Sequence, residues 1–537
     1  MTTTPNHFSF NGWYEPWIHV IANDGNQHTL SIKSVLTAAH TLQVLADSSP
    51  LIVGGTHRLL TAILQFIYSP NEVADISDIL TQKHFDPVIL ADFERTYAHR
   101  FDLFDSTEPF LQTGDVAIDA WIKGNSSKTN QKSLSKITYP TVAKLFTDIP
   151  TVTNRTHFQH VTDSSHSVCP ACCLAGLVTF SAFAQNGGSG WRASINGDPP
   201  LYLTPIGENL FEGLTLSLMS AEYQPKNASY ARRNVAPWTR DAVILKGSAC
   251  LEIGYIESLT FPAWRVRLFP QTDGGVCTRC GVESAIRIVK MLWEPGLYRN
   301  KEAELWHNPF VAYYVGSDKK LKSLKVTKGK TLWREYSTLF LSDNQQLPSL
   351  IRQIGQLVND YDLATVTMLR FRCIGLKTDG KAKVSEWTDE ALEVPPMLLK
   401  SPGGASVVRE ALNQANQCER ILSMIFSLHI RDRKSSTKKK HDLLKAIQTR
   451  MQDTFWATLS SPFRDLVREV VSREVLVELR SQWETTVINT GERVLDEALN
   501  QRGDSAALLQ SRTEALNHYR GIMGKYRKEG WHVKSSQ

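Results

Sequence analysis

The chain has 537 residues, of which 42% are hydrophobic and 9% aromatic, and its formal net charge is +6. This length is too great for one core, so we expect two to four domains. No run approaches the roughly 20 apolar residues of a membrane span. The N-terminus lacks the basic and apolar regions of a secretory signal, and eight cysteines in so long a chain are no disulfide framework. We therefore predict a cytoplasmic globular protein whose mild positive charge permits nucleic-acid binding.

The first elements are predicted by turn residues and apolar spacing. Residues 8–22 mix aromatic and β-branched side chains with polar ones and run into an Asn-Asp-Gly turn at residues 23–25, which predicts a β-hairpin. Apolar side chains recur at helical spacing from Ser31 to Leu42, and again over residues 59–67. We assign both stripes to core helices.

A basic, polar segment follows at residues 121–140. It carries four lysines and no acidic residue, and it has few large apolar side chains. Such a segment buries too little surface to offset the entropy lost on ordering. It is either a solvated insertion or a flexible arm that orders on phosphate, and we predict a mobile loop over about residues 121–160.

Two cysteine pairs have the spacing of zinc knuckles. Cys169 and Cys172 form the first pair, and Cys277 and Cys280 form the second. Two sulfurs separated by two residues can grip one metal ion, and four thiolates make a closed tetrahedral zinc site with no open position for catalysis. The alternatives are two unrelated pairs or a disulfide, and Cys173 is an alternative ligand.

A glycine-rich loop is predicted at residues 186–191, after an apolar helix over residues 174–183. Gly187, Gly188 and Gly190 allow a backbone to approach a ligand closely. The loop lacks the GxGxxG pattern and the P-loop lysine, so it is not a nucleotide site.

Basic and aromatic residues alternate over residues 225–240, and arginines alternate over residues 264–267, which we predict to form a strand. This pattern suits nucleic-acid backbones and stacked bases, but it is also that of an ordinary soluble face. The basic and aromatic residues of the first stretch are Lys226, Tyr230, Arg232, Arg233, Trp238 and Arg240.

Residues 366–384 predict a second hairpin, with its turn at Asp379 and Gly380 and with lysines crowding the tip. Prolines and glycines at residues 395–404 mark a domain boundary. Beyond it, four stretches with apolar spacing predict a four-helix bundle over residues 402–537, with a strongly basic connection at residues 431–440. The fold class is therefore α+β, with a large mixed α/β domain over residues 1–395.

Catalytic patterns do not stand out. We find no GxSxG, HExxH, Walker loop or paired-carboxylate motif, and His157, His160, Asp163 and His166 are too loosely spaced for a convincing metal site. A structural zinc beside several basic loops favours a binding module over an enzyme.

The order of these features resembles the CasA family, the large subunits of the type I-E CRISPR surveillance complex Cascade. The residues that carry the resemblance are Phe10 to Val20 with a PWIxV pattern, Ser31 to Leu42 with Ala39 and His40, Phe104 to Gln112 with a PFxQ pattern, Lys144 to Phe146, and Asn154 to Phe158. The cysteine pairs, the glycine loop and the C-terminal helices follow in the family's order. The resemblance spans essentially the whole chain.

The resemblance implies a function in antiviral defence. Family members join a crRNA-guided complex, inspect double-stranded DNA for the short PAM beside the target, help open the duplex and recruit a separate helicase-nuclease. They are not enzymes, and their partners are the other Cascade subunits, crRNA, target DNA and that helicase-nuclease. The resemblance also implies a mixed α/β domain followed by a four-helix bundle.

The resemblance also implies site residues. The glycine loop contacts the PAM, and a wedge hairpin over residues 374–385 enters the duplex. The tip of the hairpin has the sequence Thr-Asp-Gly-Lys in this chain, where a family member has polar amide residues. A basic residue after the second knuckle touches DNA, and a segment of the mobile loop docks onto crRNA and a neighbouring subunit. Beyond the three glycines, the candidates are Lys377, Asp379, Gly380, Lys381 and Lys383 for the wedge, Lys290, Arg299 and Lys301 for the basic residue, and Asn154 and Phe158 for docking.

Three interpretations compete. The first is a non-catalytic, PAM-sensing subunit with a structural Zn²⁺ held by Cys169, Cys172, Cys277 and Cys280. The second is a zinc-stapled nucleic-acid-processing enzyme whose active site has no recognised motif. An adaptor that binds only protein is a third.

Overall fold

A computed structural model gives the fold. It describes residues 8–116, 139–146, 166–184, 195, 197–300, 303–327, 329–342, 345–361, 368–378, 384–400, 402–430, 438–471, 476–501 and 505–531.

The chain forms two compact units. The N-terminal unit comprises Met1–Val326, Pro348–Leu357 and Arg370–Ala391, and the helical unit comprises Thr327–Leu347, Val358–Leu369 and Leu392–Gln537. The helical unit thus includes two segments that precede residue 392. The boundary of independently folding domains near residue 400 stays a prediction.

The strands are short and form several small sheets. They are β1 (Ile18–Ala22), β2 (Gln27–Leu30), β3 (Leu42–Leu45), β4 (Tyr202–Ile206), β5 (Ser248–Cys250), β6 (Trp264–Gln271), β7 (Gly275–Val276), β8 (Glu283–Ser284), β9 (Arg287–Pro295), β10 (Leu297–Arg299), β11 (Tyr313–Val315), β12 (Leu321–Ser323), β13 (Leu369–Thr378) and β14 (Val384–Val394). Among these described strands, the sheet orders are β2-β1-β3, β14-β13-β4, β10-β5, β11-β12, β6-β9 and β7-β8.

The helices fall into a short set and a long set. The shorter ones are α1 (Ile32–Ala38), α2 (Pro50–Tyr68), α3 (Val73–Gln82), α4 (Pro87–Tyr97), α5 (Pro170–Leu177), α6 (Phe180–Phe183), α7 (Leu210–Leu216), α8 (Tyr255–Leu259), α9 (Tyr336–Phe340), α10 (Ser349–Asp360) and α11 (Pro396–Lys400). The four long C-terminal helices are α12 (Pro402–Ile430), α13 (Lys438–Glu469), α14 (Leu476–Asn500) and α15 (Ala506–Glu529).

The N-terminal hairpin is confirmed, whereas the first predicted helix ends early. Strands β1 and β2 pair antiparallel across the predicted turn. Helix α1 begins after Ser31, whose side chain accepts a hydrogen bond from the Ser34 N–H. Leu42 lies in β3 rather than in the helix, because β3 pairs with β1. Strand pairing with a distant segment overrides the local helical spacing.

Helix α2 is the central helix of the N-terminal unit. Its length and apolar composition would allow it to cross a membrane, but it carries His57 and Arg58 and most of its apolar residues are buried inside the unit. Two of its buried polar side chains have partners inside the unit: His57 Nε2 lies 2.8 Å from Ser217 Oγ, and Arg58 donates to the carbonyls of Ser258 and Leu259. These contacts mark α2 as a core helix.

The helical unit is built on its four long helices. Helix α12 packs against α13, α14 and α15, and α14 also packs against α13 and α15. The predicted apolar stripes are mostly buried, but Leu428 is 52% exposed near the end of α12. Trp333, from the segment that precedes residue 348, is buried against the rings of Phe463 and Trp456.

Candidate metal centre and nucleic-acid interface

The first cysteine pair lies at the start of a helix. Cys169 is the N-cap residue of α5, and Pro170 occupies its first turn. Proline suits this position because it has no N–H to leave unsatisfied and its fixed φ matches the helix. Cys169 and Cys172 are both buried. Their sulfurs therefore lie in the first turn of α5, inside the unit.

The second pair lies in the turn between β7 and β8. The Cys277 N–H donates to the carbonyl of Val282, and the Gly281 N–H donates to the carbonyl of Cys277, each at 2.9 Å. Gly281 has φ +75°, a value that glycine adopts without steric cost. Cys277 is buried and Cys280 is exposed, so this turn covers the outer side of the site.

The four cysteines form one group. Their sulfurs all lie within 4.8 Å of one another, and the Sγ atoms of Cys169 and Cys280 are 3.8 Å apart. In a tetrahedral site with Zn–S bonds of about 2.3 Å, two sulfurs lie about 3.8 Å apart. All four are free thiols, and Cys173 is buried outside the group. Two unrelated pairs and a disulfide do not describe this arrangement, whose geometry fits a tetrahedral metal ion.

Proton affinities within the group are unequal. Hydrogen bonding to Cys169 and Cys172 lowers the pKa of the Cys277 thiol. Hydrogen bonding to Cys169 and Cys277, together with burial, raises the pKa of the Cys172 thiol. Four thiolates this close repel one another unless a cation lies between them. A divalent cation held by the four sulfurs would allow all of them to ionise.

Backbone contacts join the two knuckles directly. The Thr278 N–H donates to the Ser167 carbonyl at 2.8 Å, and Val168 and Ile288 exchange hydrogen bonds of 2.9 Å each. The segment before α5 is thereby paired with strand β9. A metal ion at the cysteines would reinforce this pairing between segments that are over a hundred residues apart in the chain.

Arg279, inside the second knuckle, extends the contact to two other segments. Its Nη2 atom lies 2.9 Å from Asp47 Oδ1, and the two side chains are only 11% and 5% exposed. The guanidinium also lies over the ring of Phe146, 4.8 Å from the centroid. Arg279 therefore anchors the chain eight residues before Asn154, the first of the predicted docking residues.

The predicted docking residues Asn154 and Phe158 lie outside the described residues. Their neighbours on both sides are described: the chain before residue 147 contacts Arg279, and the chain after residue 165 pairs with strand β9. Both ends of this segment therefore lie beside the cysteine group. The loosely spaced residues His157, His160 and Asp163 are also outside the described part of the chain.

The glycine loop lies outside the described residues, but its two stems are described and meet each other. Gly187, Gly188 and Gly190 are preceded by Phe183 and followed by Tyr202. The Tyr202 hydroxyl donates to the carbonyl of Ala182 at 3.2 Å, and the rings of Phe183 and Tyr202 pack edge to face with centroids 5.5 Å apart. The described residues before and after the glycine loop, Phe183 and Tyr202, are therefore in direct contact.

The predicted hairpin lies beside the same two residues. Strands β13 and β14 are neighbours, and β13 also pairs with β4, with Ile374 opposite Tyr202. Ile374 and Leu376 belong to a buried cluster with Phe183 that also contains Leu51 and Ala182. The stems of the glycine loop and of the hairpin are therefore packed in one core.

The hairpin stem is held by an ion pair across its strands. The Arg372 guanidinium contacts both carboxylate oxygens of Asp389 at 2.7 Å, in bidentate geometry. Lys377 lies near the end of β13 and is half-buried. The other predicted wedge residues, Asp379, Gly380, Lys381 and Lys383, lie outside the described residues.

The three basic candidates after the second knuckle occupy different environments. Lys290 is exposed on β9. Arg299 is only 8% exposed; its guanidinium donates to the Glu304 carbonyl and lies over the Trp306 ring, and burial lowers its pKa. Lys301 lies outside the described residues. Lys290 is thus the described candidate whose charge faces solvent.

The alternating arginines of residues 264–267 are structural. Arg265 forms ion pairs of 2.5 Å with Asp115 and 2.6 Å with Glu294. Arg267 is fully buried and donates to the Asp105 carbonyl at 2.9 Å. Neither guanidinium is available as a nucleic-acid face.

Residues 225–240 divide between the core and the surface. Arg232 pairs with the buried Glu257, Trp238 is buried, and burial lowers the pKa of Arg240 to about 10. Tyr230 is 75% exposed with the Arg233 guanidinium over its ring. The soluble-face interpretation accounts for most of this pattern.

Comparison with known proteins identifies the family. A family model described as CRISPR-associated protein Cse1 matches residues 13–494. The chain belongs to the Cse1 family. Among curated protein sequences, none matches this chain.

Solved structures of Cse1 share the fold. Cse1 from Acidimicrobium ferrooxidans has a TM-score of 0.74 at 19% identity, covering 98% of this chain and 99% of that one. CasA from Thermus thermophilus has a TM-score of 0.74 at 19% identity, covering 96% and 100%. A chain of a CRISPR RNA-guided surveillance complex has a TM-score of 0.72 at 16% identity, covering 96% and 99%. The predicted family and the predicted α+β fold class are confirmed, since CasA and Cse1 name the same protein family.

Three contacts that organise the site escaped the sequence analysis. They are the pair formed by Arg279 and Asp47, the clasp between Tyr202 and Ala182, and the pair formed by Arg372 and Asp389. The first joins residues 232 positions apart in the chain. No spacing rule connects such residues, and the arginine and aspartate types alone are too common to single them out.

Proposed function

We propose that this Cse1-family chain is a non-catalytic subunit of a crRNA-guided type I-E Cascade complex in the cytoplasm. In this role it recognises the PAM in double-stranded DNA, helps to open the duplex for R-loop formation and recruits a separate helicase-nuclease. The family match over residues 13–494 carries the proposal. The convergence of the glycine-loop and hairpin stems in one buried cluster supports it, because flank reading and duplex opening must act on adjacent base pairs.

We propose a structural Zn²⁺ at Cys169, Cys172, Cys277 and Cys280. The support is the compact group of four sulfurs, three of which are buried. Thiolates are soft ligands that suit zinc, and four of them close the coordination sphere. The ion would hold the chain before α5 against β9 and leave no position for a reacting water.

PAM contact is assigned to the glycine loop at Gly187, Gly188 and Gly190. A backbone without side chains can enter the minor groove, where the base code is degenerate and groove shape matters. Phosphate contacts would supply most of the affinity. Lys290 is the preferred basic contact after the second knuckle because it is exposed, whereas Arg299 is engaged inside the unit.

Duplex opening is assigned to the hairpin, with Lys377, Asp379, Gly380, Lys381 and Lys383 at and beside its tip. A wedge must be stiff, and the bidentate pair between Arg372 and Asp389 ties its two strands together. Docking onto crRNA and a neighbouring subunit is assigned to Asn154 and Phe158, in a segment whose ends lie beside the cysteine group.

The test is target binding by the crRNA complex assembled with and without this chain. The target would match the guide, and the flanking trinucleotide would be varied. Binding that depends on both the chain and the flank is the expected result. Binding that is indifferent to the chain would overturn the proposal and favour the adaptor hypothesis.

The enzyme alternative has its own test. The pure chain would be incubated with single- and double-stranded DNA and RNA in Mg²⁺, with a known nuclease as positive control. We expect intact nucleic acid. Cleavage that copurifies with the chain through several steps would contradict the non-catalytic role.

A further inference from the structure

Helix α2 has a notch at Gly54 on the side that faces the loop and hairpin stems. We propose that Gly54 is a positioning residue. Because it has no side chain, Phe183 and Ile374 can both pack against α2 at this point, and their packing fixes the position of the glycine loop relative to the wedge hairpin. The inference rests on the proposed function.

The distances leave no room for a side chain without movement. A Cβ atom at Gly54 would lie 3.1 Å from Cε2 and Cζ of Phe183 and 3.3 Å from Cδ1 of Ile374. Contacts this short require the neighbours to shift by a few tenths of an ångström. Phe183 is 3% exposed and Ile374 is 1% exposed, so both would have to move within a packed core.

The two seated residues belong to the two functional stems. Phe183 is two positions before the undescribed loop segment that begins at residue 185, and Ile374 is on β13, the first strand of the hairpin. One helix position therefore touches both stems at once. A change there alters the spacing between loop and hairpin rather than either element alone.

Tyr202 closes the same socket from the opposite stem of the loop. Its hydroxyl donates to the Ala182 carbonyl, its ring packs on Phe183, and the Arg58 guanidinium of α2 lies 5.4 Å from its ring centroid. It is also opposite Ile374 in the sheet register. The socket thus links α2, the described chain before and after the glycine loop, and strand β13 through direct contacts.

The structure offers a matched control for the test. Gly355 is also a helical glycine of the N-terminal unit, in α10, and a Cβ atom there would meet nothing within 4 Å. Glycine to alanine in a helix raises the helix propensity by the same amount at both positions. Any difference in target binding between the Gly54→Ala and Gly355→Ala variants therefore reflects packing at the notch, and not a change in helix propensity.

The experiment measures target binding by the complete crRNA complex carrying each variant. The readout is the ratio of affinities for a preferred and a poor flanking trinucleotide. A pre-opened target, mismatched beside the guide-paired region, serves as a substrate that bypasses duplex opening. We expect Gly54→Ala to lower the ratio about fivefold, a change of about 1 kcal/mol, because small misplacements of reading groups are costly. Binding to the pre-opened target and incorporation into the complex should be unchanged.

Other variants separate the possible failures. Tyr202→Phe removes only the hydrogen bond to Ala182 and should lower the ratio about two- to threefold, while Gly355→Ala should leave it unchanged. Gly188→Val tests the loop itself. If Gly188→Val abolishes flank dependence but Gly54→Ala and Tyr202→Phe do not lower it, the positioning role is wrong and the proposed function stands. If Gly188→Val also has no effect, the proposed function fails.

Equal losses on closed and pre-opened targets, or a loss matched by Gly355→Ala, would also overturn the inference, because they indicate a general structural defect. Should Gly54→Ala fail to fold, the ratio for Tyr202→Phe decides the question alone.

Discussion

The two units of this chain are stabilised in different ways. The helical unit relies on long helices whose apolar stripes pack together, with Trp333 inserted among Trp456, Phe463 and Trp483. The described strands of the N-terminal unit are in small sheets of two or three strands, and the unit adds buried polar contacts and a four-cysteine group. Short sheets bury little surface each, so cross-links between distant segments must supply part of the stability.

This difference bears on function. Regular helix packing distributes its apolar contacts along whole helices, whereas the N-terminal unit holds irregular segments in place through a few specific contacts. Those contacts lie at the stems of the loop, the hairpin and the docking segment. A unit of this kind can present short irregular segments to a ligand. Loss of any one of these contacts, however, can displace the segment that it holds.

Loss of one thiolate should have the largest effect, and only in the N-terminal unit. We expect Cys277→Ser to lose the metal ion and several kcal/mol of stability, since structural zinc contributes about 10–16 kcal/mol in zinc-finger peptides. Metal analysis and hydrogen exchange, resolved by peptide, would measure both. Exchange should rise around residues 166–184 and 275–290, not in the helical unit.

Cys250→Ser is the matched control, because this half-buried thiol is outside the cysteine group. It should keep one metal ion per chain. A Cys277→Ser protein with full metal content and unchanged exchange would contradict the four-thiolate site.

Trp333→Ala should destabilise the helical unit and leave the metal site of the N-terminal unit intact. Its ring is 4% exposed and stacks on Phe463 with centroids 4.7 Å apart. Truncation of a buried tryptophan costs about 3–5 kcal/mol. Chemical denaturation should register that loss while metal content stays at one ion per chain. Val477→Ala, at a side chain that is 80% exposed, should change stability by less than about 0.5 kcal/mol.

A pH effect is expected from His57 in the N-terminal unit. Burial, together with the nearby Arg372 charge, lowers its pKa to about 4. The unfolded chain, with an ordinary histidine pKa near 6.5, then binds the proton more readily, so this contribution to stability is present above about pH 6.5 and is lost as pH falls toward 4. From pH 7 to 5 the loss should be about 2 kcal/mol.

The measurement compares the pH dependence of unfolding in the parent and in His57→Gln. Glutamine retains a hydrogen-bonding group near Ser217 and does not titrate. The difference between the two curves should flatten above pH 6.5. Parallel curves from pH 7 to 5 would show that His57 does not carry the effect.

The smallest effect concerns a single surface charge. Lys290→Gln should reduce the slope of log affinity against log salt by about one and weaken closed-target binding equally for all sequences, as expected for one lost phosphate contact. Lys290→Arg keeps the charge and should keep the slope. An unchanged slope for Lys290→Gln would remove this lysine from the interface.

Features that depend on residues close together in the sequence could be predicted, whereas contacts between residues far apart in the sequence could not. The cysteine group was predictable because each knuckle is a local pattern, and the long helices because apolar spacing is local too. Leu42 was misassigned because β3 pairs with β1, a contact that a helical pattern does not encode. Arg265 and Arg267 were candidates for a basic face because their charges are visible in the sequence, whereas the partners of Arg265 at Asp115 and Glu294 are not.

The socket at Gly54 was not predictable at all. Its three walls come from α2, the chain before the glycine loop and strand β13, which are more than a hundred residues apart. A Gly-Gly pair within an apolar helix indicates only a weak spot in helix propensity. Only the packing of Phe183 and Ile374 explains why the side chain is missing there.

The most direct measurement is photo-cross-linking, which identifies the part of this chain that contacts the base pairs flanking the target. A photoreactive amino acid would replace Ser189 in the glycine loop, or Val88, which is 67% exposed on α4, as a control. The assembled crRNA complex would then be irradiated on matched target DNA. We expect cross-links from position 189 confined to the base pairs beside the target, with none from position 88. Cross-links from position 189 to distant DNA only, or to no DNA, would contradict this expectation.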